Sequence, residues 1–137
     1  MDAGDILVMQ NEINNPEMLL RIASERNLRI VWNPAPMTQE VALCPLNCVS
    51  ILIMNEVEAG QLAGTQLDPT CLDSIRRTAE VLRKMVPETD LLLTLGKEGS
   101  ILFSPNPELN EFFVPACNLG KPVDTTAAGD TYLGYLV

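Results

Sequence analysis

The stretch Val49-Ser50-Ile51-Leu52-Ile53-Met54-Asn55-Glu56-Val57-Glu58-Ala59-Gly60-Gln61-Leu62-Ala63-Gly64 decides the fold. Residues 49–54 are apolar except for Ser50, and a run this short and this apolar predicts a strand buried on both faces. One polar residue later, residues 56–63 read as a short helix closed by Gly64, the residue type that most cheaply takes the left-handed backbone at a helix end. A buried strand that passes straight into a helix is half of a strand-helix-strand unit, and such units build parallel sheets.

The same alternation extends in both directions. Downstream, residues 70–86 place Leu72, Ile75, Ala79, Leu82 and Val86 on one helical stripe. Thr70 with Asp73 resembles a capping box, and Pro87 blocks continuation. Residues 90–95 then read as a strand, 100–104 as another after a turn over 96–99, and 111–114 as a last one after Pro105-Asn106-Pro107. Upstream, residues 29–32 read as a strand ended by Asn33-Pro34-Ala35-Pro36, and 5–9 as the first strand. Between them Asn15 and Pro16 supply a cap and a first helical residue, with Leu19, Ile22, Ala23 and Arg26 on one face. The class is α/β: a mostly parallel sheet, covered on both faces, with an antiparallel edge formed by the closely spaced late strands. At 137 residues, with neither repeats nor linkers, the chain is one folding unit.

Composition removes whole classes of function. Eighteen acidic residues against nine basic ones leave a net charge of −9, the wrong sign for tracking a nucleic acid backbone. Arg21, Arg26, Arg76, Arg77, Arg83 and Lys84 read as solvating charges on helix surfaces. The chain has no histidine, so Ser-His-Asp triads, Cys-His dyads and histidine-bearing zinc sites are excluded within it. Cys44, Cys48, Cys71 and Cys117 form no CxxC pair and are expected to be free buried thiols. No apolar run approaches the roughly 18 residues of a membrane span, and no signal segment opens the chain, so a cytoplasmic location with no membrane partner is expected.

In parallel sheets ligands bind beyond the carboxyl ends of the strands. The residues there are Gln10, Asn11 and Glu12, then Asn33, then Asn55 and Glu56, then Thr94 and Gly96. The segment Asp124-Thr125-Thr126-Ala127-Ala128-Gly129-Asp130-Thr131, followed by an apolar stretch, reads as a loop entering a helix. Ala127, Ala128 and Gly129 leave main-chain N–H groups uncovered where the helix dipole is positive, so an anion such as phosphate can lodge there without a lysine. Asp130 would then orient a hydroxyl and accept its proton, which suffices because phosphoryl transfer depends mainly on positioning and charge stabilisation. The plainer alternative is that Thr125 or Thr126 caps the helix and Asp130 complements its dipole. Gly96-Lys97 lacks the flanking residues of a Walker loop, and no GxGxxG occurs.

Residues 124–130 with Thr131 and Gly134 resemble the second signature of the ribokinase-like, or PfkB, carbohydrate kinases. Met9-Gln10-Asn11-Glu12, Asn33-Pro34-Ala35-Pro36, Asn55-Glu56-Val57-Glu58-Ala59 and Thr94-Leu95-Gly96-Lys97-Glu98-Gly99 resemble further segments of that family in the same order, nearest to its ribokinase branch. The resemblance implies a three-layer sandwich and transfer of the γ-phosphoryl group of ATP to a sugar hydroxyl, ribose first. It makes Asp130 the catalytic base, touching the sugar, and Ala127, Ala128 and Gly129 the anion hole. It makes the turn from Thr94 through Leu95, Gly96, Lys97 and Glu98 to Gly99 the ATP phosphate wrap, and Glu12 a sugar contact. Asn55 and Glu58 match an NxxE motif that organises the water shell of Mg²⁺, and Asp124 with the carbonyl of Thr126 matches part of a potassium site. Family members are roughly twice this length, so residues 1–137 are expected to be a partial domain, central to C-terminal, truncated at both ends. A homodimer of the full-length form is possible within such a family. Two other readings stand beside this one: a nucleotide-binding module without turnover, and an inactive product of gene breakage.

Overall fold

The structure is a computed structural model that describes residues 2–117, 120 and 127–136. Among these, six strands form one sheet in chain order: β1 (Ile6–Gln10), β2 (Arg29–Asn33), β3 (Ile51–Asn55), β4 (Asp90–Thr94), β5 (Gly99–Phe103) and β6 (Glu111–Pro115). Strands β1 to β4 pair in parallel, and β4–β5 and β5–β6 are antiparallel. The helices are α1 (Pro16–Glu25), α2 (Glu56–Ala63), α3 (Leu72–Met85) and α4 (Ala128–Leu136). The expected mixed α/β sheet with its antiparallel edge is what forms, and α2 with its left-handed Gly64 cap falls where the sequence places it.

Strand alternation sorts the core into two layers. Ile30 and Trp32, Leu52 and Met54, and Leu91 and Leu93 face one side, where Leu20 and Ala23 of α1, Ala59 of α2, and Ile75 and Leu82 of α3 cover them. Val31, Ile53 and Leu92 face the other side and meet Leu133 and Tyr132 of α4. Helix α4 is therefore docked across the centre of the sheet by apolar burial, its first turn lying at the carboxyl ends of the parallel strands.

Several local expectations give way to packing or to a competing local bond. Asn15 takes a left-handed backbone (φ 55°) and makes no side-chain cap, and α1 buries Leu20 with Ala23 while Ile22 stays exposed. With Leu19 and Leu20 adjacent, periodicity over so few turns leaves the apolar face ambiguous by one residue, and packing selects Leu20. Thr70 does not box α3: its hydroxyl donates to Asp68 Oδ1 at 2.7 Å inside an Asx turn, and Cys71 stands at the cap. Leu72 then falls on the exposed first turn, outside the stripe expected for it. Two short 3-10 turns, Gln39–Leu43 and Leu46–Cys48, bridge β2 and β3 where no element is expected, and bury Val41 and Leu46.

The basic residues are not all solvating. Arg76 grips the Glu111 carboxylate with two hydrogen bonds of 2.8 Å, tying α3 to β6. Arg83 donates to the carbonyls of Val86, Pro87, Thr89 and Phe103, closing the end of α3 against β4 and β5. Of the cysteines only Cys44 is buried; Cys48 and Cys71 are half-buried, Cys117 is exposed, and all four are free. No helix among the described residues is long and apolar enough to cross a membrane.

Candidate functional site

A cleft of about 210 Å³ opens where the carboxyl ends of β2, β3 and β4 meet the start of α4. The strands contribute Asn33, Ile53, Met54, Asn55 and Thr94, helix α2 contributes Glu58, and the last segment contributes Ala127, Ala128, Gly129, Asp130 and Tyr132. Roomier hollows lie elsewhere, including one beside Asn15 and Cys44 at about 630 Å³. Chemistry rather than size singles out the cleft, because a helix N-terminus and two carboxylates converge on it.

Its positive wall is main chain. Ala127 has φ 59°, turning the chain into α4, and its carbonyl accepts from both the N–H and the hydroxyl of Thr131 at 2.9 Å. That closes the first helical turn and leaves the N–H groups of Ala128, Gly129 and Asp130 without acceptors inside the helix. Ala128 carries only a methyl group and Gly129 only hydrogen, so no side chain of theirs covers those groups. The helix end carries about half a positive charge, and anions settle at such ends. Tyr132 donates its hydroxyl to Ser100 Oγ at 3.0 Å, which fixes α4 against β5 beside the Leu133 contact.

Asp130 is exposed at the start of α4, and its Oδ1 accepts from Gln10 Nε2 at 2.6 Å. Gln10 also donates to Asn33 Oδ1 at 3.3 Å, and the buried Asn33 donates to the carbonyl of Ile53 at 2.9 Å.

Asn55 and Glu58 form a complete capping box at α2. Asn55 Oδ1 accepts from the N–H of Val57 at 2.9 Å and of Glu58 at 2.8 Å, while Glu58 Oε2 accepts from the Asn55 N–H at 2.9 Å. Glu58 is buried, and desolvation raises its pKa above the ordinary glutamate range; the Asn55 N–H opposes that rise and the nearby Glu56 charge adds to it. One oxygen of each residue is thus committed to the helix cap, and Glu58 still lines the cleft. Among the described residues no three His, Cys, Asp or Glu side chains converge on a point that would hold a metal ion.

The remaining sequence candidates divide. Thr94 lines the cleft, whereas the Leu95 side chain is buried in the core and its N–H donates to the Gly99 carbonyl at 2.8 Å. Gly96 and Lys97 are exposed on the turn Gly96–Glu98, where Lys97 Nζ lies 3.8 Å from Glu98 Oε1. Gly99 sits at φ 122° against β6. Glu12 is exposed beyond β1 and is not among the residues lining the cleft; its neighbour Asn11 donates to the Pro36 carbonyl at 2.7 Å and so pins the loop after β2. Asp124 and Thr126 lie outside the described residues. Gln10 and Asn33 stand in the sequence as strand-end polar residues without a role, and only their place past a parallel strand singles them out there. Ser100 and Tyr132 give no sequence signal, since their contact joins positions 32 residues apart.

The chain is similar to known proteins over most of its length. The ribokinase of Schizosaccharomyces pombe is 33% identical over 132 residues, covering 95% of this chain and 40% of that protein. The ribokinase of Staphylococcus aureus is 31% identical over 98% of this chain and 42% of its own length. Among solved structures, a ribokinase from Cryptococcus neoformans in complex with ADP superposes with a TM-score of 0.75 at 28% identity, covering 95% of this chain and 45% of that one. The chain therefore spans about two-fifths of the length of the curated relatives it matches. The sequence profile of the pfkB family carbohydrate kinases matches residues 10–137, and the chain belongs to that family.

Proposed function

We propose that this chain carries the phosphate-binding and proton-accepting part of an ATP-dependent sugar kinase of the ribokinase type. The observation that carries the reading is one juxtaposition: the bare N-terminus of α4 and the Asp130 carboxylate share a cleft at the carboxyl ends of the parallel strands. In the reaction, a sugar hydroxyl oxygen bonds to the γ-phosphorus of ATP as the bond to the bridging oxygen breaks. The hydroxyl proton passes to Asp130, and ADP leaves. Backbone N–H groups at Ala127, Ala128 and Gly129 would stabilise the charge that builds on the phosphoryl and leaving oxygens, an effect strongest where donors are fixed beforehand.

The ADP bound to the Cryptococcus relative supports nucleotide as the donor, and the curated ribokinases support ribose as the acceptor. The segment from Thr94 to Gly99 would run along the ATP phosphates, offering main chain rather than the Leu95 side chain. Asn55 and Glu58 would order the waters of Mg²⁺, which neutralises phosphate charge when bound. Glu12 would reach the sugar, and Asp124 with the carbonyl of Thr126 would be part of a K⁺ site.

The test is release of ADP from ATP and Mg²⁺ by the longest coding sequence that contains this chain, with a panel of pentoses and hexoses. Ribose-dependent ADP release is the expected result. Tight ATP binding with no ADP released for any sugar would overturn the kinase reading in favour of a nucleotide-binding module.

A further inference from the structure

A chain of hydrogen bonds runs from the sheet to the proton acceptor, and its direction is fixed at its base. The Ile53 carbonyl can only accept, so the buried Asn33 must turn its Nδ2 toward it, at 2.9 Å. This aims Asn33 Oδ1 at Gln10. Residues 10 and 33 are direct partners in the β1–β2 register, so their side chains project from the same face of the sheet. Gln10 Nε2 has two hydrogens: one goes to Asn33 Oδ1 at 3.3 Å, the other to Asp130 Oδ1 at 2.6 Å. Flipping either amide would set two donors, or two acceptors, face to face.

From this we infer that Gln10, seated on Asn33, is a positioning residue that holds the Asp130 carboxylate in one rotamer facing the cleft. The inference rests on the reading of Asp130 as proton acceptor. An exposed side chain on the first turn of a helix otherwise samples its rotamers within nanoseconds. Holding Oδ1 leaves Oδ2 for the sugar hydroxyl, and fixes its place relative to the N–H groups on the same helical turn. Displacement of a reacting group by about 1 Å costs on the order of 100-fold in rate.

The test has two arms. In the full chain, three-bond couplings to the Asp130 ¹³Cγ report its χ1 distribution without any substrate. One dominant rotamer is expected in the parent protein, and averaged couplings in Gln10→Leu and in Gln10→Glu. The glutamate variant keeps the shape of the residue and replaces the donor by an acceptor, so it decides the matter if the leucine variant folds poorly. In the kinase assay both variants are expected to lose about 10- to 100-fold in kcat with the KM for ATP nearly unchanged, a split that general unfolding does not produce. Unaveraged couplings together with unchanged kcat in both variants would overturn the inference. Failure of the underlying reading looks different: Asp130→Asn would then keep full turnover, while the couplings would still report whether Gln10 holds that side chain.

Discussion

Asp130→Asn is expected to lower turnover by about 10²- to 10⁴-fold, the range a positioned general base supplies, while ATP affinity changes by no more than a few-fold. The substitution is chosen to separate chemistry from geometry. Asparagine keeps the size of the side chain, and its carbonyl oxygen can still accept from Gln10 Nε2, so the link through Asn33 to β3 survives. The capacity to take a proton is lost. The main-chain N–H groups at the start of α4 are unaffected, since Leu133 and Tyr132 anchor that helix independently. Removing a negative charge from the first turn costs roughly 0.3–1 kcal/mol in helix-dipole energy, too little to unfold a domain. Steady-state rates with ATP and ribose, beside calorimetric titration of ATP, measure the two effects separately. Equal loss of binding and rate would mean that the carboxylate serves the architecture of the cleft rather than the transfer.

Gly99→Ala is expected to destabilise the fold by about 3 kcal/mol. Gly99 has φ 122°, a conformation that residues with a Cβ rarely adopt. A Cβ there would stand 2.8 Å from both the Ala116 nitrogen and the Pro115 Cα, and closer still to the Val114 carbonyl oxygen. All three are backbone atoms, so no rotamer change relieves the contact. Because β6 is the edge strand, the cheapest relief is to push it away from β5, which strains the Arg76–Glu111 link and lifts Val114 from Ser100. Urea denaturation gives the stability change directly. A midpoint equal to that of the parent chain would show that β6 does not lie against β5 in solution. The same substitution should also lower the proposed kinase activity, since the turn that Gly99 closes begins at Thr94 on the rim of the cleft.

How far the sequence can be read follows from the range of each interaction. Helix α2 was legible from the buried strand before it and from Gly64 at its end, whereas the Asn55–Glu58 capping box was not read, because those residues were assigned to a cation's waters instead. The parallel sheet was legible because runs such as Ile51 to Met54 and Leu91 to Leu93 are apolar on both faces. Local signals failed where a competing partner decides. Thr70 is held by Asp68 instead of capping α3, and Arg83 is drawn in by four carbonyls where its position on a helix end suggested a solvated charge. Within the cleft the sequence pointed to Asp130, Asn55, Glu58 and Thr94, all of which line it. It also pointed to Gln10 and Asn33 without suggesting that they act together with Asp130. That partnership spans 120 residues of chain between Gln10 and Asp130, and only the docking of α4 across the sheet makes it.

Diffraction from crystals grown with ADP and ribose tests the central claim most directly. The account predicts phosphate oxygens within hydrogen-bonding distance of the N–H groups of Ala128 and Gly129, and a sugar hydroxyl facing Asp130 Oδ2 with Gln10 still on Oδ1. A nucleotide bound away from the start of α4, or an Asp130 turned from the sugar, would contradict it.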